Sequence, residues 1–187
     1  MLGNKQTARL GDYRIMTPEQ FISYYSISCF YHFTDIRNLN SIHQNGGLLR
    51  LSELRQRQIE IPAPGGNDWS HEADTRIGLD QYVHLCFISE HPMEYRAKQD
   101  NRIIQSVFLE IDPKIINCEG VFFCPDVSNK AGTPRLTIAE ACKVMDFEVI
   151  YKRTDWRDPM IQERRKQAKK YELLVPIDIP LNMIKGF

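Results

Sequence analysis

The 187-residue sequence predicts an α+β fold, and three observations support this. Short apolar runs rich in aromatic and β-branched residues recur along the chain and are typical of strands. Helical segments with recognisable caps lie between some of these runs. The connections are irregular, with no internal repeat and no steady strand–helix alternation. A chain of this length builds one core, so we expect a single domain over residues 17–187 after a loose segment at residues 1–16.

The first elements are a helix, a strand and a second helix. Thr17, Pro18 and Gln20 form a capping box with proline at the first helical position, which predicts a short helix. Residues 29–34 are aromatic and β-prone and predict a strand. A second helix is expected from about residue 36 and ends at the Asn-Gly-Gly of residues 45–47.

The middle of the chain is predicted to be mostly extended. Residues 48–52 continue as extended chain, and residues 53–80 have no clear apolar period. The Pro- and Gly-rich stretch within them predicts a long surface loop. Strands are then expected at residues 81–88, 106–111 and 120–124, with one helical turn at residues 93–98.

The last third contains a predicted helix over residues 137–145, capped by Thr137, and a closing strand over residues 171–176.

Between them, residues 152–170 hold eight basic and three acidic side chains, a local charge of +5. The whole chain has 24 basic and 24 acidic residues, so its zero net charge hides this asymmetry. The neutral total argues against a generally basic nucleic-acid-binding protein.

Several protein classes lack their sequence signatures here. The five cysteines form no CxxC pair, so neither a disulfide framework nor a zinc ribbon is expected, and we expect no metal. The N-terminus has no apolar signal-peptide core, and no apolar run is long enough to span a bilayer. We therefore expect a cytoplasmic protein with no membrane partner. Phosphate-loop, dinucleotide-binding, zincin and α/β-hydrolase motifs are all missing.

Three polar residues lie inside predicted strands: His32, His84 and Glu172. A lone histidine in an apolar strand is more often structural than functional, and Glu172 has ordinary salt-bridge partners in Lys169 and Lys170. Together, however, a late-strand carboxylate and an early-strand His-x-Thr are able to line one cleft.

Three ordered blocks of the sequence carry a family resemblance. They are FYHFTDIRNL at residues 30–39 with GGL at 46–48, GLDQYVHLCF at 78–87 with HPM at 91–93, and KYELLVP at 170–176. In this order they resemble the DarT family of ADP-ribosyltransferase toxins. The resemblance implies an ADP-ribosyltransferase fold, in which split mixed β-sheets flanked by short helices enclose an NAD+ cleft. It also implies NAD+ as co-substrate and a base of single-stranded DNA as acceptor.

The resemblance also implies roles for individual residues. Glu172 takes the place of the catalytic glutamate, which stabilises the positive charge that develops as the bond to nicotinamide breaks. His32 is expected to hold a ribose hydroxyl, Thr34 and Asn38 to lie at or shape the nicotinamide pocket, and Tyr82 to line the cleft. The family's arginine is assigned first to Arg76 and second to Arg50.

The basic segment next to Glu172 has two interpretations. One is a solvated amphipathic helix. The other is a surface that follows the phosphates of a single strand, with aromatic rings for base stacking. Its candidate residues are Arg164, Arg165, Lys169, Trp156 and Tyr171. Residues 126–130 form a candidate substrate-side loop.

The predicted activity is transfer of ADP-ribose from NAD+ to thymine or guanine in single-stranded DNA, by the toxin of a toxin–antitoxin or phage-defence pair. A cognate antitoxin that removes ADP-ribose is then expected. Two alternatives remain open at this point: an ADP-ribosyltransferase that acts on RNA or protein, and a non-catalytic nucleic-acid-binding domain in which His32 and Glu172 are structural.

Overall fold

The protein is described by a computed structural model that covers residues 16–186, without the side chains of residues 68–70. The expected loose N-terminal segment lies, up to residue 15, outside the described residues. The helices are α1 Pro18–Tyr25, α2 Leu39–Gln44, α3 Leu51–Gln56, α4 Asp68–Arg76, α5 Pro92–Gln99, α6 Ile138–Val144, α7 Glu148–Tyr151 and α8 Pro159–Ala168. The strands are β1 Phe30–Asp35, β2 Gly47–Leu48, β3 Val83–Cys86, β4 Ser106–Ile111, β5 Phe122–Cys124, β6 Glu172–Val175, β7 Ile179–Pro180 and β8 Ile184–Lys185.

Within the described residues, the strands form two sheets. The larger has six strands in the order β5-β6-β3-β1-β4-β8, and the smaller pairs β2 with β7. The α+β class and the two-sheet architecture are therefore confirmed. Every ladder between these strands is antiparallel, so the expected mixed pairing is wrong. None of these pairs is a hairpin: even β5 and β6, which are consecutive strands, have α6, α7 and α8 between them.

The small sheet depends on one glycine. Gly47 has a φ of +147°, and a Cβ built there would lie 2.0 Å from the carbonyl oxygen of Ile179 on β7. A larger residue at this position would push β2 away from β7. The close approach holds the segment after α2 against the chain that follows β6, and this brings both to the same side of the molecule.

The main core is an aromatic cluster on the large sheet. Phe21 of α1, Phe123 of β5 and Phe147 are fully or almost fully buried, and the Phe21 and Phe147 rings lie 4.8 Å apart in an edge-to-face arrangement. Phe87 joins the same cluster. Edge-to-face aromatic pairs are favourable beyond the area that they bury. The α1 helix is positioned by the predicted capping box of Thr17 and Gln20, which is present.

The prediction for residues 48–80 is partly wrong. Residues 51–56 form α3 and residues 68–76 form α4, whereas the sequence predicts extended chain up to residue 52 and no helix over residues 53–80. The Pro- and Gly-rich stretch between them is irregular, but it packs against the molecule: Ala63 is buried, and a Cβ on Gly66 would lie 2.5 Å from the His71 ring. None of the helices in the described part of the chain is long and apolar enough to cross a bilayer.

Candidate active site

A cleft lined by several of the predicted site residues lies where the large sheet faces α2, α3 and α4. Its cavity volume is about 260 Å³. Its walls include Glu172 of β6, His84 of β3, His32 of β1, Asp74 of α4 and Ser128 of the loop after β5. Residues from distant parts of the sequence meet here because β1, β3 and β6 are neighbours in the sheet. The predicted substrate-side loop contributes Val127, Ser128 and Asn129 to the same walls.

Glu172 is the first residue of β6 and is only 5% exposed. Its Oε2 accepts a hydrogen bond from the Ser128 backbone N–H at 3.1 Å and lies 3.3 Å from Nδ1 of His84. The register places Glu172 opposite Cys86 on one side and Cys124 on the other. Burial and the nearby Glu172 carboxylate raise the pKa of Cys124 to about 12, so this thiol stays neutral beside the carboxylate.

His84 is placed to carry a positive charge. Its Nδ1 points at Glu172, and its Nε2 lies 3.3 Å from the Leu79 carbonyl oxygen, so both ring nitrogens face acceptors. Burial alone lowers the pKa of His84, but the hydrogen bond to Glu172, the charges of Glu172 and Asp74 and the Leu79 carbonyl outweigh it, and the pKa is raised. Burial likewise raises the pKa of Glu172, but His84, His91 and Ser128 reverse this and leave it lowered. The two side chains form an ion pair in the cleft wall.

A second histidine approaches the other carboxylate oxygen. His91 is buried, and its Nε2 lies 3.5 Å from Oε1 of Glu172. Burial lowers the pKa of His91, with Glu172 acting in the opposite direction. Its Nδ1 accepts a hydrogen bond from the Met93 N–H as the cap of α5, so the proton of the neutral ring is on Nε2, facing Glu172. The hydrogen bonds from His84 and Ser128 reach Oε2 of Glu172, whereas His91 Nε2 approaches Oε1 without making a hydrogen bond.

His32 faces the cleft as a neutral ring. Burial lowers the pKa of His32, with the backbone hydrogen bond to His84 acting against it. Its Nδ1 donates to the carbonyl oxygen of His84 at 3.0 Å. This leaves Nε2 without a proton, as an acceptor suited to a hydroxyl group. The expected role in binding a ribose hydroxyl stays a prediction that this tautomer favours.

Thr34 and Asn38 line the cleft, but the Asn38 amide is used within the protein. Its Nδ2 donates to Thr34 Oγ1 at 3.0 Å and to the Ala63 carbonyl at 2.8 Å, and its Oδ1 accepts from the Ala63 N–H at 2.9 Å. These bonds hold the Pro- and Gly-rich stretch against β1. These bonds fit the role of shaping the pocket, and a direct contact of Asn38 with NAD+ stays a prediction.

Tyr82 lines the cleft as expected. Its ring packs against Phe122, with centroids 6.2 Å apart, and the Arg135 guanidinium lies 5.6 Å from the ring centroid. The ring also covers a small apolar cluster of Leu79, Cys124 and Leu174. Tyr82 thus forms an aromatic wall next to the Glu172 site.

Neither predicted arginine lines the cleft. Arg50 donates from Nε to Asp178 at 3.0 Å, and its backbone N–H bonds the same oxygen at 2.9 Å, so it joins α3 to the chain after β6. Arg76 is exposed at the end of α4. Arg55 of α3 is better placed: its Nη1 lies 3.6 Å from Oδ2 of the cleft residue Asp80, and it is 44% exposed. Nothing in the sequence singles out Arg55, because residues 53–80 show no apolar period that predicts α3.

The basic segment contains α8, and some of its charged side chains are paired with acidic residues of the protein. Arg164 is held by two hydrogen bonds to Asp146, and Lys169 contacts Glu90 at 2.6 Å. Trp156 is 62% exposed, with the Arg157 guanidinium 5.3 Å from its ring centroid. A second groove of about 420 Å³ collects several predicted nucleic-acid-binding residues. It is lined by Ile88, Glu90, Val149, Ile150, Trp156, Gln162, Arg165, Lys166, Ala168 and Lys169.

The prediction that Tyr171 stacks on a base is wrong. Tyr171 is only 5% exposed, its ring lies against Phe87 and Phe147, and its hydroxyl oxygen accepts a hydrogen bond from the Asp146 N–H at 3.1 Å. Tyr171 is buried in the aromatic core because it immediately precedes β6, in which every residue is buried.

Comparisons with known proteins agree on one family. The family model described as ssDNA thymidine ADP-ribosyltransferase, DarT, matches residues 31–187. No match was found among curated proteins. Among solved structures, Thermus sp. 2.9 DarT in complex with ADP-ribosylated ssDNA is similar with a TM-score of 0.62 and 20% identity, over 86% of this chain and 80% of that one.

Two further solved structures are similar. The same Thermus protein in complex with NAD+ has a TM-score of 0.54 and 20% identity, over 84% of this chain and 79% of that one. Thermosipho africanus DarTG in complex with ADP-ribose has a TM-score of 0.56 and 17% identity, over 84% of this chain and 42% of that one. At these identities the similarity to the solved structures shows a shared fold. The family itself is shown by the family model, which matches most of the chain.

Proposed function

Since the chain belongs to the DarT family of NAD+-dependent, single-stranded-DNA thymidine ADP-ribosyltransferases, we propose that the cleft around Glu172 binds NAD+ and directs its ADP-ribose to a thymine base. The observation that carries this assignment is the buried, ionised Glu172 carboxylate in the cleft wall, held by His84 and by the Ser128 N–H. A fixed negative charge in a partly dry cleft is suited to a substrate whose sugar becomes positive in the transition state.

In this assignment Glu172 acts mainly through its charge. As the bond between ribose C1″ and the nicotinamide nitrogen breaks, positive charge develops on the ribose, and Glu172 stabilises it. His84 and His91 keep the carboxylate in one orientation, so little reorganisation is needed during the reaction. His32 offers Nε2 to a ribose hydroxyl and so positions the sugar relative to Glu172.

We propose Arg55 as the arginine of the NAD+ site. It contacts Asp80 in the cleft wall, while Leu51 and Leu54 of the same helix line the cleft. Its guanidinium is partly exposed, and to reach a pyrophosphate it has to leave the ion pair with Asp80 and the hydrogen bond to Thr75. Asp80 is buried, so this exchange leaves a buried carboxylate without its cation, and the contact with the pyrophosphate has to offset that cost. Arg50 is less suited, because its guanidinium and its backbone N–H both bind Asp178, which does not line the cleft.

The α8 groove is the proposed path of the strand outside the modified base. Its floor is apolar, its rim carries Arg165, Lys166 and Lys169, and Trp156 offers an exposed ring for stacking. The groove and the Glu172 site are adjacent along the chain: Glu90 borders the groove and His91 contacts Glu172. A base must be unstacked to enter the cleft, which favours single-stranded acceptors.

An enzyme of this kind blocks DNA templates, so we also propose a partner that removes ADP-ribose. A structure named DarTG, similar to this chain in fold, contains ADP-ribose. Expression of the wild-type chain is expected to arrest growth, and co-expression of an ADP-ribosyl-removing hydrolase is expected to relieve the arrest. Growth arrest that persists with an active hydrolase would point to a different target.

The acceptor is tested by mass spectrometry of a matched set of single-stranded homopolymers incubated with NAD+. We expect ADP-ribose on oligo-dT and none on oligo-dA or oligo-dC. Modification of oligo-dG would reassign the acceptor to guanine, and modification of oligo-rU in preference to oligo-dT would make the enzyme an RNA modifier. No modification of any nucleic acid, with intact binding of NAD+, would contradict the proposed substrate.

A further inference from the structure

Arg135 is an exposed arginine next to the wall of the cleft and has no role so far. Its guanidinium lies 5.6 Å from the centroid of the Tyr82 ring, which lines the cleft, and its Nη2 donates a hydrogen bond to the Ile77 carbonyl. Arg135 forms no ion pair with a carboxylate in the described part of the chain. The edge of the cleft therefore carries a positive charge that the protein itself does not neutralise.

The fold fixes the place of Arg135 in the chain that follows β5. Its neighbour Leu136 forms a β-bridge with Phe123 of β5, through two backbone hydrogen bonds of 2.8 and 2.9 Å. The chain between them is therefore a loop with both ends tied to β5. Within this loop the Ser128 N–H bonds Oε2 of Glu172. Arg135 thus stands at the end of the same loop that contacts Glu172.

Several contacts place Arg135 near the Glu172 end of the cleft. The Tyr82 ring packs on a small cluster that includes Leu174, which is two residues after Glu172 in β6. Residues two apart on a strand share one face and lie about 7 Å apart. The charge of Arg135 also opposes the rise in the pKa of the Cys124 thiol, which lies opposite Glu172 in the β5–β6 register. The positive charge of Arg135 therefore acts on the surroundings of Glu172.

The order of the strands separates the two sides of Glu172. In the large sheet β6 has β5 on one side and β3 followed by β1 on the other. His32, the residue assigned to a ribose hydroxyl of NAD+, is on β1, which lies about 10 Å from β6 at the usual spacing of strands. Arg135 lies on the β5 side. With the ribose of NAD+ on the β1 side, the β5 side remains for the acceptor.

The chemistry of Arg135 suits a phosphodiester. A guanidinium binds a phosphate through parallel N–H bonds, and the Ile77 carbonyl takes only one of its five N–H donors. Other basic side chains around the cleft contact carboxylates: Arg50 contacts Asp178, Arg55 contacts Asp80 and Lys130 contacts Asp126. Arg135 has no such pair to leave, so a phosphate gains the whole interaction.

We propose that Arg135 binds the phosphate next to the acceptor thymine and holds that nucleotide at the edge of the cleft while its base enters past Tyr82. This inference rests on the proposed function, which takes single-stranded DNA as the acceptor. It gives the strand a second contact beyond the α8 groove. Gln167 of α8 donates to the Pro125 carbonyl at 3.0 Å, at the start of the loop that ends at Arg135. The strand then crosses this loop from α8 to Arg135.

The first test compares two substitutions. Arg135→Gln keeps a donor for the Ile77 carbonyl and removes the charge, and Lys143→Gln on α6, exposed and outside both cavities, is the matched control. In Arg135→Gln the KM for oligo-dT is expected to rise about tenfold or more, with kcat and the KM for NAD+ near wild type. The slope of log K against log salt, from fluorescence anisotropy, should become smaller by about 0.7. Lys143→Gln should match wild type in each measurement.

A neutral linkage then identifies the phosphate. In an oligonucleotide whose modified thymine has been located by mass spectrometry, a methylphosphonate replaces one phosphate at a time. Wild type should lose most affinity when a linkage next to that thymine is neutral, and Arg135→Gln should be insensitive to the same replacement.

Three results would overturn the inference: affinity of Arg135→Gln for oligo-dT within about threefold of wild type, an equal loss by both proteins at that linkage, or a raised KM for NAD+ in Arg135→Gln. The last of these would assign Arg135 to the NAD+ site. Failure of the wild type to transfer ADP-ribose would instead contradict the proposed function, and the salt slopes of DNA binding would still test Arg135.

Discussion

The Glu172 carboxylate and the His84 imidazole form an ion pair inside the cleft, with Oε2 and Nδ1 separated by 3.3 Å. Because the folded-state pKa of His84 is raised above 6.5, its stabilising effect is full below that pH and is lost as the pH rises through the folded value. Because the pKa of Glu172 is lowered below 4.5, its stabilising effect is present above that pH and is lost as the pH falls through the folded value. The pair therefore stabilises the fold most between these two values.

The pair predicts a pH-dependent stability difference between wild type and His84→Gln. Thermal unfolding should show a larger loss of Tm for the variant near pH 5.5 than near pH 9, by about 2–4 °C for each kcal/mol that the pair contributes. Glu172→Gln should show the same trend because it breaks the same pair. A difference in Tm that does not change with pH would mean that His84 is neutral in the folded protein.

His32 is predicted to act on NAD+ binding through its unprotonated Nε2. His32→Ala should raise the KM for NAD+ about tenfold, as expected for loss of one hydrogen bond to a hydroxyl, with a smaller effect on kcat. His43→Ala is the control, since His43 is an exposed histidine of α2 outside the cleft lining. Equal effects of the two substitutions would remove His32 from the NAD+ site.

Arg55 and Arg76 make a matched pair of arginine substitutions. Arg55→Ala should lower kcat/KM for NAD+ by about 10–100-fold, the effect of losing charge-assisted hydrogen bonds to a pyrophosphate. Arg76→Ala should leave it unchanged because Arg76 is exposed and outside the cleft lining. Initial rates with varied NAD+ measure both. A larger loss for Arg76→Ala than for Arg55→Ala would instead assign the NAD+ site to Arg76, the arginine that the sequence favours.

The α8 groove predicts a salt-dependent contribution to DNA binding. Arg165→Ala and Lys169→Ala should each reduce the slope of log K against log salt by about 0.7, the value for one phosphate contact on a single strand. Lys114→Ala and Lys143→Ala, exposed on other elements, are the charge-matched controls. Fluorescence anisotropy with a labelled oligo-dT supplies the slopes. Unchanged slopes for the groove variants would place the strand elsewhere.

The sequence is informative where local chemistry decides the structure. Thr17 and Gln20 specify a capping box from adjacent residues, and the box is present. Glu172 stands out because an apolar strand follows it directly, and His32 because it interrupts an aromatic strand. The three family blocks contain both residues, so their place in one cleft is predictable from the resemblance.

Tertiary contacts decide the rest. The α4 sequence DWSHEADTR has only Trp69 and Ala73 as apolar residues, too few to predict an amphipathic helix or to place Asp74 in the cleft. It is anchored by the packing of His71 against the nearby Gly66 and by a hydrogen bond from Arg55 of α3 to Thr75. The burial of Tyr171 also depends on tertiary contacts. Its ring packs against Phe87 and Phe147, and no local sequence pattern reveals these contacts.

The most direct test of the account is the transfer of label from NAD+ to oligo-dT by wild type and by Glu172→Gln. The glutamine keeps the size and hydrogen-bonding ability of the side chain but removes its charge. The account predicts loss of transfer by about 10³-fold or more, with NAD+ affinity retained. Transfer by Glu172→Gln within about threefold of wild type would contradict it, because the charge of Glu172 would then not be needed for the reaction.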